Sequence, residues 1–462
     1  MNSKRLLLIL PLLAFLAWVG FNAYQAKQAD DQFQQIRKAR TFDVPSQQNP
    51  STAPPADLVV AKIPTDNIWF VGKHEDGGGV EIPFKPGESP KVSAHRANKN
   101  TNPGFVGPQQ CKECHAEIYQ TFVQTAHALT TRPVTADTID GSFSPGSNTV
   151  QSSDPNLRFE MVNRDNEFLQ RVHFHNWTFE VPMQIIVGSS KMAQTYLYWH
   201  GDGLYQHNIT HITDGNQWIN SPGYIDGDAA YARPVPERCL DCHMTYFDFR
   251  APPNHYTPED VIYGVTCERC HGPAAEHVAF HQSSPNATTG ESIVNPGSLE
   301  RELSMQICGQ CHGGSRQLKS AGLSFRPGDQ LDDHYQPLDE EENAKNSVHT
   351  SNQQMRLSQS RCFIETEMSC IDCHDPHHNE RGDAKLFSER CMTCHQDESD
   401  CQFDAPDGIR LSENCVDCHM PRRATKKLRL QSIEGDVFPP LRDHFIRVDK
   451  QATDEFLKSR QQ

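Results

Sequence analysis

Seven times this chain repeats two cysteines three residues apart with a histidine directly behind the second. The sets are Cys111-Cys114-His115, Cys239-Cys242-His243, Cys267-Cys270-His271, Cys308-Cys311-His312, Cys370-Cys373-His374, Cys391-Cys394-His395 and Cys415-Cys418-His419. Thiols at that spacing share one side of a helical turn, so both can bond to one flat group while the next imidazole sits under its centre. A porphyrin fits that description: two vinyl groups become thioethers, and the histidine becomes the proximal ligand of the iron. Zinc knuckles or redox cysteine pairs need no trailing histidine. Histidine makes up 23 of 462 residues, so finding it behind all seven pairs by chance has odds on the order of 10⁻⁹. The cofactor expected is haem c, seven copies, covalently bound.

The stretch TCERCHGPAAEH, residues 266–277, carries a second histidine. His277 follows His271 on the proximal side of that porphyrin, and so short a segment cannot pass round the macrocycle. If it binds iron it binds a neighbour's, and such sharing forces haems into contact. By the same logic His127, His349, His377 or His378, and His444 are candidate distal ligands, against a plainer role at the surface or on a haem propionate. Sixteen histidines remain when the seven proximal ones are taken from 23, so ligand supply does not limit bis-histidine coordination. Met244 and Met420, directly behind proximal histidines, read as core packing. Cys362 and Cys401 stand outside the motifs. They read as a disulfide closing a loop of about 40 residues, with two unpaired thiols or the remnant of an eighth attachment site as the alternatives.

What positions these residues is less plain. The chain is only 36 % hydrophobic, with a mean hydropathy of -0.65, a thin supply for a core of this length. Porphyrins make up the deficit. If each buries about twice the area of a tryptophan, the transfer term is on the order of 10 kcal/mol per haem as an upper bound. The haem-free chain is therefore expected to be largely unfolded. The net charge of -16, without a basic stripe, argues against nucleic-acid binding; ordinary solubility is the blander reading of the acidity.

Six segments are expected. Residues 1–26 are a signal anchor or signal peptide: Lys4 and Arg5 precede the apolar run 6–21, and no clean small-residue cleavage site follows, which favours an uncleaved anchor. Everything after it is then exported, with the protein held at the inner membrane on its periplasmic side. Residues 27–105 form a polar linker and extended arm, and 106–139 the first haem segment, with helical spacing through Ile118, Phe122 and His127. Residues 140–232 alternate as strands, in LRFEMV, FLQRVHF, WTFEVPMQIIV and AQTYLYW, with a turn at Asp165-Asn166. This is a β-rich insertion between the first and second motifs. Residues 233–425 are a haem core with six motifs, and 426–462 a C-terminal segment offering His444. The fold class expected is a mainly α and irregular multihaem cytochrome c fold carrying that β-rich insertion.

The runs VGPQQCKECHAEIYQTFVQTAHA, TCERCHGPAAEH, SCIDCHDPHH and NCVDCHMPRR together resemble the cytochrome c-552/c-554 group of multihaem cytochromes. Its wider relatives include a tetrahaem electron carrier of nitrifiers, pentahaem nitrite reductase, octahaem hydroxylamine oxidoreductase and tetrathionate reductase. The resemblance covers residues 106–127 and 236–450. It implies distal ligation by His127, His277, His377 and His444, and haems packed in parallel and perpendicular pairs. No motif ends in lysine, so the lysine-ligated catalytic haem of the pentahaem reductases has no counterpart here.

The expected role is electron transfer between a membrane quinol-linked donor and a periplasmic acceptor in a respiratory chain, bis-histidine ligation keeping potentials low. The rival is a reductase or oxidase of a small nitrogen or sulfur species (nitrite, hydroxylamine or tetrathionate) at one five-coordinate haem; the catalytic residues of such an enzyme are not legible.

Overall fold

The structure, a computed structural model, describes residues 53–64, 67–73, 78–93, 102–338, 345–396, 401, 403, 410–425 and 427–460. The expected anchor, the linker up to residue 52 and most of the acidic stretch 338–346 lie outside the described residues. Among the described residues no helix is long and apolar enough to cross a membrane. The chain divides into two compact units, residues 1–88 and 89–462, each taken by itself.

In the first unit the expected irregular arm is an antiparallel meander of three strands: β1 (Val59–Ile63), β2 (Ile68–Gly72) and β3 (Gly79–Ile82). Their registers pair Ile63 with Ile68 and Trp69 with Ile82. The β-branched and aromatic residues of IWFVG suit a pleated surface, and Val71, Val80 and Ile82 are buried.

The second unit holds two larger sheets. β5 (Thr149–Gln151), β6 (Leu157–Arg164), β7 (Glu167–Phe174) and β8 (Trp177–Pro182) follow one another as a four-stranded meander. Along β6, Leu157, Phe159 and Met161 face inward, the period of two expected of a half-buried strand. The β6–β7 hairpin turns on Asp165 and Asn166, both left-handed at φ 51° and 69°. Those are the residue types that tolerate this conformation in a two-residue turn.

An eight-stranded sheet follows. It takes β4 (Thr131–Pro133), β9 (Ile185–Val187), β10 (Ala193–His200), β11 (Gly203–Gln206), β12 (Ile209–Ile212) and β13 (Gln217–Asn220), together with the strands Met244–Ala251 and His255–Tyr263. The strands therefore spread past both ends of 140–232. The second motif's helix, Glu237–His243, leaves this sheet and runs straight back into it at Met244.

The expectation of a mainly α fold is overturned. The described residues are 26 % helix and 28 % strand, a β-rich fold. A motif needs only one turn of helix to present its two thiols, and the motif helices Cys267–His271 and Cys415–His419 have five residues each. Even the longest motif helix, Arg301–His312, has twelve. Helices that short have little stability of their own, so tertiary packing carries the region. The main apolar cluster joins Trp199, Leu204, Tyr246, Phe247 and Tyr256 of the large sheet to Leu240 inside the second motif and Leu323 beyond the fourth.

Candidate haem-binding site

In this structure all sixteen cysteines are free thiols. The motif thiols meet across motifs. Cys111 lies beside Cys267, Cys242 beside Cys311, Cys308 beside Cys370, and Cys391 beside Cys415. Cys270 also lies within electrostatic reach of Cys308, and Cys373 of Cys391. The attachment points thus form a contiguous series: first, third, fourth, fifth, sixth and seventh motifs, with the second touching the fourth.

Cys362 and Cys401, expected as a disulfide, are not bonded to each other in this structure. Cys362 neighbours Cys373 and Cys391, whereas Cys401 neighbours Cys418 of the seventh motif. The fold draws each of them to a different attachment turn.

Three candidate distal histidines each face a motif histidine far away in sequence. His127 faces His312 with ring centres 6.2 Å apart. His377 faces His271 at 6.1 Å with planes 16° apart, and His444 faces His374 at 6.0 Å with planes 23° apart. Two imidazoles sharing one metal, each bonded at about 2 Å, have ring centres roughly 6 Å apart. The spacing leaves room for one iron between each pair, so these residues fit the group. Among the described residues, no set of three or more His, Cys, Asp or Glu side chains converges as a metal site. Paired imidazoles are what recur, and a porphyrin iron takes its remaining four bonds from the macrocycle.

Second contacts orient the rings. The Nδ1–H groups of His271, His312 and His419 donate to the carbonyls of Val294, Thr350 and Arg447 at 2.7, 2.8 and 3.0 Å. That leaves Nε2 for a metal and raises the basicity of the ligand. His444 follows Asp443, whose buried carboxylate takes a forked pair of 2.8 Å bonds from Arg356. His377 is braced by Asp375, which accepts its backbone N–H at 2.9 Å and lies 3.6 Å from its Nδ1. The carbonyl of His127 accepts Val265 N–H just ahead of the third motif. Burial pushes His127 and His444 down to about 4, helped by the neighbouring His312 and His374 respectively. Both are therefore neutral near pH 7, the form that ligates a metal.

The other candidates sit differently. His277 donates through Nδ1 to the Glu291 carbonyl at 2.9 Å and packs edge-on against His281. His349 shares a 2.7 Å hydrogen bond with Ser351 Oγ. His277 also lies within electrostatic reach of His271. His115 and His395 are exposed. His243 is buried, its Nδ1 has no hydrogen-bond partner, and burial, with Arg238 and His312, holds it down to about 4.

Sequence reasoning missed the residues between the motif cysteines. Glu268 is 2 % exposed, and its carboxylate accepts the N–H groups of Val106, Gly107 and Ala274 at 2.8–3.0 Å. It thereby ties the entry to the first motif onto the third. A signal was present: charged residues inside a turn that must lie against a macrocycle.

Comparison with known proteins agrees at the level of class. Residues 220–272, spanning the second and third motifs, match the family described as cytochrome c554 and c-prime. No curated protein matches the chain. Among solved structures it is similar to one titled crystal structure of outer cell wall cytochrome OcwA, at 15 % identity and a TM-score of 0.45, covering 76 % of this chain and 81 % of that one. The family match and the repeated motifs support a c-type cytochrome with covalently bound haem.

Proposed function

We propose that the chain is a heptahaem cytochrome that relays single electrons between a membrane-associated quinol-linked donor and a periplasmic acceptor in a respiratory chain. The observation that carries this reading is the contiguity of the seven attachment turns. Motif thiols that touch across motifs hold neighbouring sites close enough for charge to pass. Haem supplies the one-electron chemistry; the chain's part is to space the sites, supply neutral imidazoles and exclude water. The series reaches the surface at two places, Cys114 and His115 in the first motif, where it begins, and Cys394 and His395 in the sixth, one step before its other end, which suits entry and exit of electrons at the surface. An N-terminal anchor in the inner membrane would keep the relay beside its donor.

The test is the mass and spectrum of the purified protein. A mass exceeding the polypeptide by seven haems, with six low-spin irons or more, is expected. Absence of a Soret band would end this reading, and fewer than seven haems would end the count.

One observation favours a second reading. The buried Nδ1 of His243 has no hydrogen-bond partner, and an iron held there without a second imidazole would keep an open position, as a reductase or oxidase of nitrite, hydroxylamine or a sulfur oxyanion requires. A stoichiometric high-spin ferric EPR signal that shifts on adding nitrite or hydroxylamine, and is lost on replacing His243, would favour the enzyme. An entirely low-spin spectrum would leave the relay alone.

A further inference from the structure

The second variable residue of three motifs meets at one buried point. Asp241, Arg269 and Gln310, from the second, third and fourth motifs, are 0 %, 3 % and 4 % exposed. Arg269 Nη2 donates to the Asp241 carbonyl at 2.9 Å and to Gln310 Oε1, and lies 3.5 Å from the Asp241 carboxylate. Gln310 Nε2 returns a 3.3 Å bond to the Arg269 carbonyl. The carboxylate of Asp241 also accepts Arg238 Nη1, Tyr335 Oη and Leu323 N–H, at 2.8, 2.8 and 2.9 Å. Arg238 reaches on to the Gln310 carbonyl at 2.9 Å.

Attachment chemistry leaves that position free, and an apolar residue would pack there, as Leu240 does one place earlier in its motif. Burying a guanidinium costs several kcal/mol unless it is well paired, and Arg269 Nε finds no protein acceptor. Packing alone therefore does not account for the choice. Within the node itself two guanidiniums stand against one carboxylate, the nearby Glu268 being engaged instead by the N–H groups of Val106, Gly107 and Ala274, and each fixed charge acts in surroundings that screen it poorly. Reducing ferric iron removes one positive charge from the site, so a fixed positive neighbour favours the reduced form.

Resting on the reading that these motifs carry haem, we propose that Asp241, Arg269 and Gln310, with Arg238, form a positioning node. The node locks the second, third and fourth attachment turns together and raises the reduction potentials of the irons they hold. It would make this junction, where the second motif meets the main series, a place where electrons collect.

The test is a spectroelectrochemical titration of the full-length, haem-loaded protein, with haem counted by mass. Asp241→Asn should raise, and Arg269→Gln should lower, the reduced-to-oxidised ratio of two or three haems at fixed potential. The shift should be tenfold or more, about 59 mV for a one-electron couple. Arg269→Lys keeps the charge and should restore the potentials. Arg238→Gln lowers them while leaving the buried pair in place, and serves if Arg269→Gln fails to accumulate. A merely structural role would move both charge variants the same way or not at all, and either result overturns the proposal. A protein without haem would instead remove the reading beneath it.

Discussion

Residues 140–263 and 264–460 are built on different terms. The first stretch contains 33 buried hydrophobic residues, among them Trp177, Tyr196, Tyr198, Tyr231 and Tyr256. The second, although longer, contains 13 among its described residues, and its apolar cluster is centred on Ile307, Phe325, Leu331 and Tyr335. In the β-rich stretch side chains fill the interior themselves. In the motif-rich stretch helices of three to twelve residues hold the thiols and imidazoles, with few buried apolar side chains between them. One region can carry itself; the other is arranged around groups it does not encode.

The largest expected effect follows directly. With all fourteen motif cysteines replaced by serine, the chain should lose amide protection throughout 264–460 while β6–β8 and β10–β13 keep theirs, read by hydrogen exchange with mass spectrometry. Equal loss in both regions would break the comparison.

Acid should weaken the β-rich region as well. His207 lies in the β-rich region, where burial holds its pKa down to about 3 against 6.5 unfolded, opposed by its hydrogen bond to the Pro182 carbonyl. Above pH 6.5 both states are neutral and the full stability is present. Between 6.5 and about 3 the unfolded chain takes a proton that the folded one refuses, so stability falls by about 1.4 kcal/mol per pH unit, on the order of 5 kcal/mol in all. Exchange of β10–β12 followed against pH should show this fall, and His207→Gln should flatten it.

In the motif region, Arg356→Met leaves Asp443 short of its forked partner and is expected to cost about 3 kcal/mol, with Arg447 at 3.0 Å from the carboxylate softening the loss. Because His444 follows Asp443, one additional high-spin ferric signal should appear by EPR; stability lost without a spin change would separate the pair from the ligand. The smallest effect belongs to the hairpin. Asn166→Ala places an ordinary residue at φ 69° and should cost about 1 kcal/mol, read as a lowered denaturation midpoint with an unchanged haem spectrum.

Much of both regions was legible beforehand, unevenly. The alternation in 157–181 and the turn at Asp165-Asn166 announced the β meander because a two-residue period has few other causes. MTYFDFRA, residues 244–251, carries the same signal, yet it directly follows a motif that invited a helical reading, so the sheet was expected to end too soon. His127, His377 and His444 were recognisable as surplus imidazoles near motifs. Their facing partners were not, since His127 and His312 are 185 positions apart and no local pattern links them. Cys362 and Cys401 show the converse: proximity of type and number suggested a bond that the fold does not make.

The sequence alone determined the chemistry. Thioether attachment demands a fixed spacing of cysteines and an adjoining histidine, a local requirement that seven short strings state openly. Only the tertiary structure decided which imidazole faces which, which motif touches which, and that Glu268, Arg269, Asp241 and Gln310 tie the attachment turns together. Those contacts join residues that fold brings within 3 Å across scores of positions, and hydrogen bonds at that range leave no periodicity in the chain that makes them.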